Sequence, residues 1–130
     1  MPAELPAGGI YQINLRVARS VSIQIGKLGR FRFTPGTYIY TGRAKRGLKA
    51  RLERHRRKDK PLRWHIDYLT SHPEVAIERI EIVSEDFEAE CVENQKLLRK
   101  RGVSAPVKGF GASDCRAGCP AHLAKIDGGS

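Results

Sequence analysis

Apolar and polar positions change period along the chain, and each change predicts an element. Gly9-Ile10-Tyr11-Gln12-Ile13-Asn14-Leu15 alternates in the manner of a strand, and Val21 to Gly26 alternates again after a short polar connection, so the two predict an antiparallel hairpin. Lys27-Leu28-Gly29 turns the chain, Phe31 and Phe33 mark a short extended piece, and Pro35-Gly36 turns it again into a third strand over Thr37 to Thr41. After Gly47 the period lengthens. Leu48, Leu52 and His55 fall on one helical face among arginines and lysines, which predicts a helix from about Gly47 to Lys58. Pro61 opens a second helical segment in which Trp64, Tyr68 and Leu69 face the core and His65 lies on another face. Val75 to Val83 is β-branched and reads as a strand. A last helix is expected from Glu85 to Arg101, with Ser84 as N-cap, acids in its first turns and bases in its last, closed by Gly102. The remaining segment is Gly-rich, contains cysteines and has no clear period. The order β-β-β-α-α-β-α predicts an α+β fold, a small and mostly antiparallel sheet flanked by helices.

Length and composition bound what this fold can be. At 130 residues, 14.5 kDa and 40% hydrophobic, the chain is one domain able to bury a core without a disulfide scaffold. The expected limits are an N-terminal extension over 1–8, a single domain over 9–123 and a C-terminal tail over 124–130. An apolar run that could span a bilayer, a signal segment, a repeat period and low-complexity composition are all lacking in the sequence, so neither a membrane nor a protein partner is implied. Cys91, Cys115 and Cys119 are odd in number and clustered late, which fits a reducing cytoplasm and leaves metal ligation and plain burial both open.

Charge sharpens the picture once it is located. Lys and Arg number 24 against 14 Asp and Glu, a net +10 that calls for a polyanionic partner. Between Arg43 and Arg63 stand eleven basic residues against only Glu53 and Asp59, so nine of the ten excess charges fall in this stretch. Neighbouring like charges repel, and a phosphate backbone is the natural compensation. Arg43, Lys45, Arg46, Lys49, Arg54, Arg56, Arg57 and Lys58, with Gly42 at their head, are the candidate nucleic-acid surface. The stretch from Glu74 to Glu93 has the opposite sign, with eight acids and one base.

Candidate chemistry lies on either side of this run. Gly9-Ile10-Tyr11 sits on the first strand and Tyr40-Thr41-Gly42 ends the third. Arg51 follows within the basic helix, His55 one turn later on the same side, His65 at the start of the next segment, and Glu88, Glu90 and Glu93 in the last helix. This ordered set, from Gly9 to Arg101, resembles the GIY-YIG nuclease family. Tyr38 to Gly42, Trp64 to Leu69, and the ending Phe110 to Cys115 with His122-Leu123 are further similar to its stand-alone Uri-type branch. Thr41 stands where the family signature has Ile, one residue is added between Gly42 and Arg51 relative to the excision-repair members, and Arg43 replaces the usual Ser of Uri-type proteins.

The resemblance implies hydrolysis of a phosphodiester bond with one divalent metal, Mg²⁺ or Mn²⁺. Such a bond needs charge neutralisation, an activated water and a protonated leaving oxygen. Tyr11 is expected to deprotonate or orient the water with Tyr40 beside it. A phenol titrates near about 10, so the basic helix is expected to supply cations that make Tyr11 a base. Arg51 would hold the scissile phosphate, His55 and His65 would assist in proton transfer or phosphate contact, and Glu90, or alternatively Glu93, would bind the metal through oxygen.

Cys115, Cys119 and His122 have soft-ligand spacing, and Cys91 would complete a tetrahedral zinc site; buried thiols are the competing reading. Asp114 and His122 match the Uri-type ending and could instead brace the site. The leading expectation is a metal-dependent DNA endonuclease, with branched or damaged DNA among its candidate substrates. A non-catalytic DNA- or RNA-binding module on the same basic surface is the alternative, and an RNA-binding accessory protein a third reading from size and charge alone.

Overall fold

The computed structural model describes residues 5–112 and 118–126. Its architecture is mixed α+β, a five-stranded antiparallel sheet and a two-stranded ribbon with three α-helices. In chain order come β1 (Gly9–Val17), β2 (Val21–Ile25), β3 (Gly29–Phe33), β4 (Gly36–Ala44), α1 (Leu48–Arg56), α2 (His65–Thr70), β5 (Val75–Ser84), α3 (Glu90–Leu98), β6 (Val103–Ser104) and β7 (Leu123–Ile126). The sheet order is β5-β1-β4-β7-β6. No helix among the described residues is long and apolar enough to cross a membrane.

The hairpin expected between β1 and β2 does not form. β1 pairs along its whole length with β4, from Gly9 opposite Ala44 to Val17 opposite Gly36, and on its other edge with β5. β2 pairs instead with β3, from Val21 opposite Phe33 to Ile25 opposite Gly29, in a ribbon outside the main sheet. The reason is local: a 3-10 turn at Gly26–Leu28 reverses the chain tightly, with Gly26 and Gly29 both at positive φ (48° and 129°). The extended piece at Phe31 and Phe33 is therefore a full strand, with Phe33 buried.

Central position explains the burial of β1. Flanked on both edges, it buries Tyr11, Ile13, Leu15 and Val17 on one face and Ile10 and Asn14 on the other. Leu48, Leu52 and His55 of α1 and Ile66 and Leu69 of α2 face the core, α2 packs against β2 and β5, and α3 packs against β4.

Three further boundaries depart from the sequence expectation. The second helix begins at His65, not Pro61, because Asp67 Oδ2 accepts the backbone N–H of Arg63 and of Trp64, 2.8 Å each, and fixes the first turn there. Ser84 is the last residue of β5, not the cap of the last helix; its Oγ accepts from Asp86 N–H, Asp86 in turn accepts from Glu88 N–H, and a 3-10 turn at Phe87–Ala89 leads into α3. The segment after Gly102 also contributes to the sheet. β7 lies beside β4 with Tyr40 opposite Leu123 and Thr37 opposite Ile126, so Ala124, Lys125 and Ile126 beyond the expected limit at 123 belong to the sheet.

Candidate active site

The β1–β4 register places Tyr11 opposite Gly42 and Ile13 opposite Tyr40, so both tyrosines rise from one face of the sheet. Gly42 is what permits this. A Cβ there would stand 2.8 Å from Tyr11 Cζ and Oη and 2.8 Å from Tyr40 Cε2, so the residue read as a phosphate contact is a close-packing position under both rings. Above them opens a cavity of about 210 Å³ lined by Tyr11, Tyr40, Arg51, His65 and Glu90, together with Arg43, Arg63, Trp64, Gly111 and His122. The fold thus gathers residues from β1, β4, α1, α2, α3 and the segments before β7.

His55 lies beneath this floor. It is 1% exposed, and its Nε2 is 2.7 Å from Tyr11 Oη, while Nδ1 has no hydrogen-bond partner among the described residues. Burial, reinforced by the Lys60 charge, lowers its pKa from 6.5 to about 4, so the ring is neutral at neutral pH. Direct phosphate contact is closed to it; its contact is Tyr11. Burial also pushes Tyr11 well above the usual phenol range, and the nearby Arg51 charge and its hydrogen bond offset this only in part. The expected cation-driven lowering of Tyr11 is therefore overturned by desolvation. Tyr40 is raised as well, by burial first and then by Tyr11 and Glu90.

Arg51 is held from two sides. One guanidinium nitrogen donates to the Arg43 carbonyl at 3.1 Å, and Cζ lies 4.7 Å from the centroid of the Trp64 ring. His65 accepts the Gly111 N–H at Nδ1, 2.8 Å away, so its neutral ring carries the proton on Nε2. Burial lowers the His65 pKa, which keeps it in that neutral form.

Of the two candidate carboxylates, Glu90 lines the cavity, with its oxygens 3.5 Å from Arg43 Nε and from His122 Nδ1. Glu93 pairs with Lys96 at 3.3 Å and does not line it. Glu88 is exposed. Cys91, Cys119 and His122 are brought together, their ligand atoms all within 4.8 Å of one another, whereas Cys115 and Asp114 lie outside the described residues.

The basic run divides in two. Arg43, Lys45, Arg46, Lys49, Arg56 and Arg57 are exposed. Arg54 is committed to the fold: it clamps Asp67, which is fully buried, through two bonds of 2.9 and 3.0 Å and donates to the Pro61 carbonyl. Burial pushes Asp67 up, but the Arg54 and backbone hydrogen bonds together outweigh it and hold the carboxyl below its usual range. Lys58 donates to the carbonyls of His72 and Val75, and Lys60 to those of Arg54 and His55 and to Thr70 Oγ1. Arg54 and Lys58 thus join α1 to the following segments, Arg54 from a half-buried position and Lys58 while still exposed.

Trp64, Asp67 and Gly111 were not read from sequence as parts of the site. An Asp in the first turn of a helix is a legible signal, and so is Trp64 between Arg63 and His65; nothing local points to Gly111.

What the arrangement offers chemically is a guanidinium, a neutral phenol backed by a buried imidazole, an N–H donor and a carboxylate at one cavity. In comparisons with known proteins, no curated protein and no solved structure matched the chain. A family model matches residues 10–129, nearly the whole sequence, and on that match the chain belongs to the family described as Domain of unknown function DUF123.

Proposed function

We propose that the protein is a divalent-metal-dependent endonuclease that hydrolyses phosphodiester bonds in DNA, built in the manner of the Uri-type GIY-YIG enzymes that its sequence resembles. The observation that carries this reading is Tyr11, which lines the same cavity as Arg51 and Glu90 and is backed by the buried His55, whose Nε2 lies 2.7 Å from its hydroxyl. The exposed Arg43, Lys45, Arg46 and Lys49 extend from that cavity as a track for the phosphate backbone.

In this mechanism Arg51 binds the scissile phosphate, its planar group already oriented by Trp64 and the Arg43 carbonyl. Tyr11 Oη orients the attacking water. As the water loses a proton to Tyr11, the phenolic proton passes to His55 Nε2, so the neutral imidazole is the final acceptor and no free phenolate is required. His65 Nε2–H donates to the phosphate or to the departing oxygen. Glu90 offers a hard oxygen ligand and the open cavity leaves room for the waters that Mg²⁺ and Mn²⁺ retain, so the residues present fit such an ion. When bound there, the cation supplies neutralisation of the charge that develops on phosphate and leaving group. Nicking of supercoiled plasmid with Mg²⁺ or Mn²⁺ tests the proposal: cleavage is expected from the native chain and lost in Arg51→Ala and Glu90→Ala, and undiminished cleavage in both variants would overturn it.

A further inference from the structure

A second group of ligand atoms lies behind Glu90. Cys91 on α3, Cys119 in the segment before β7 and His122 immediately ahead of that strand bring two sulfurs and an imidazole nitrogen within 4.8 Å of one another. We propose that these three residues form a zinc site, separate from the oxygen ligand offered to Mg²⁺ or Mn²⁺ and independent of whether the cavity cleaves nucleic acid.

The chemistry of the donor set selects the metal. Thiolate and imidazole favour a borderline-soft ion, and with Zn–S near about 2.3 Å and Zn–N near about 2.0 Å a tetrahedral centre spaces its ligands about 3.5–3.8 Å apart. A 4.8 Å spread therefore closes by about 1 Å, within the range of side-chain rotation. Two thiols release their protons on binding, and the two thiolates cancel the charge of the ion, so the occupied group is neutral beside the half-buried α3 face. The chain around it is held in register. Asn94, fully buried, donates to the Ala121 carbonyl at 2.7 Å, and Gln95 Nε2 donates to Cys119 Sγ at 3.6 Å, so α3 fixes the segment that carries two of the ligands. Glu90 Oε2 lies 3.5 Å from His122 Nδ1; with Nε2 as the metal ligand it would stand where a carboxylate orients the bound imidazole. Occupancy would then tie α3 to β7 and steady Glu90 at the rim of the neighbouring cavity.

The test uses the full chain, purified under reducing conditions, stripped with chelator and titrated with Co²⁺. One equivalent is expected to produce thiolate-to-cobalt charge transfer and the visible bands of a tetrahedral ion, and one equivalent of Zn²⁺ to abolish them. Cys91→Ser and Cys119→Ser are each expected to weaken binding beyond the roughly 10–100-fold typical of losing an outer-shell partner, and Glu90→Gln within that range. Arg51→Ala should retain full stoichiometry. Absence of these bands in the native chain, bands unaltered in both cysteine variants, or a Cys91–Cys119 disulfide recovered from the reduced preparation would each overturn the proposal. The native titration gives this answer even if a variant fails to fold.

Discussion

Lowering the pH from about 7 to about 5 is expected to destabilise the protein through His55, and the size follows from its surroundings. The ring is 1% exposed, and burial together with the Lys60 charge moves its pKa from 6.5 to about 4. Because the folded-state value lies below the unfolded one, the unfolded chain binds the extra proton. Stability from this group is present above 6.5 and is lost as pH falls toward about 4. The full difference corresponds to about 3 kcal/mol, of which about 2 kcal/mol falls between about pH 7 and about pH 5. Other groups act in different ways. His65 is also lowered by burial and adds a loss of the same sign that begins as pH falls through 6.5, whereas Asp67, held below the usual carboxylate range, contributes only at lower pH. His55→Gln therefore isolates the term. Urea unfolding of both proteins at several pH values is expected to show the native chain losing about 2 kcal/mol more than the variant over this interval. Parallel losses in the two proteins would refute the reasoning, and with it the neutral imidazole assigned as acceptor of the Tyr11 proton.

The remaining expectations concern the cavity floor and the basic helix. Tyr11→Phe removes the hydroxyl shared with His55; DNA affinity should stay within about twofold while the cleavage rate falls by about 10²–10⁴, as read by binding and single-turnover assays. Gly42→Ala sets a Cβ 2.8 Å from Tyr11 and Tyr40 and is expected to reduce stability by about 1–3 kcal/mol in urea melts, while displacing the Tyr11 hydroxyl from His55. Arg54→Ala leaves the buried Asp67 carboxylate unpaired and should lower stability by about 3–5 kcal/mol. Arg46→Ala should be nearly neutral for folding and flatten the salt dependence of DNA binding by about one unit.

Sequence pattern reached the elements whose identity is set locally. The period change at Leu48, Leu52 and His55 and the β-branched run from Val75 reappear in the fold, as does the first strand, read over Gly9 to Leu15 and extending to Val17. Pairing was less legible, because nothing in the alternation of Val21 to Ile25 says which neighbour it joins; the 3-10 turn at Gly26 decided that. β7 escaped notice because four residues hold too little periodicity, although its place beside β4 is what brings His122 to the cavity. Tyr11, Tyr40, Arg51, His65 and Glu90 were readable as an ordered set and converge in space. Their electrostatics were not, since the rise of Tyr11 depends on burial that only tertiary packing creates. The same holds for Arg54 and Lys58, whose charges look equivalent to those of Arg46 and Lys49 until Asp67 and the His72 and Val75 carbonyls claim them.

The most direct test of the proposed activity is metal-dependent cleavage measured over branched, flapped, single-stranded and duplex DNA at matched salt, with the native chain and Glu90→Ala side by side. The expected result is strand scission of at least one DNA substrate that requires Mg²⁺ or Mn²⁺ and disappears in the variant. Tight, salt-dependent binding with no scission of any substrate under either metal would contradict it and leave the basic surface as a binding module alone.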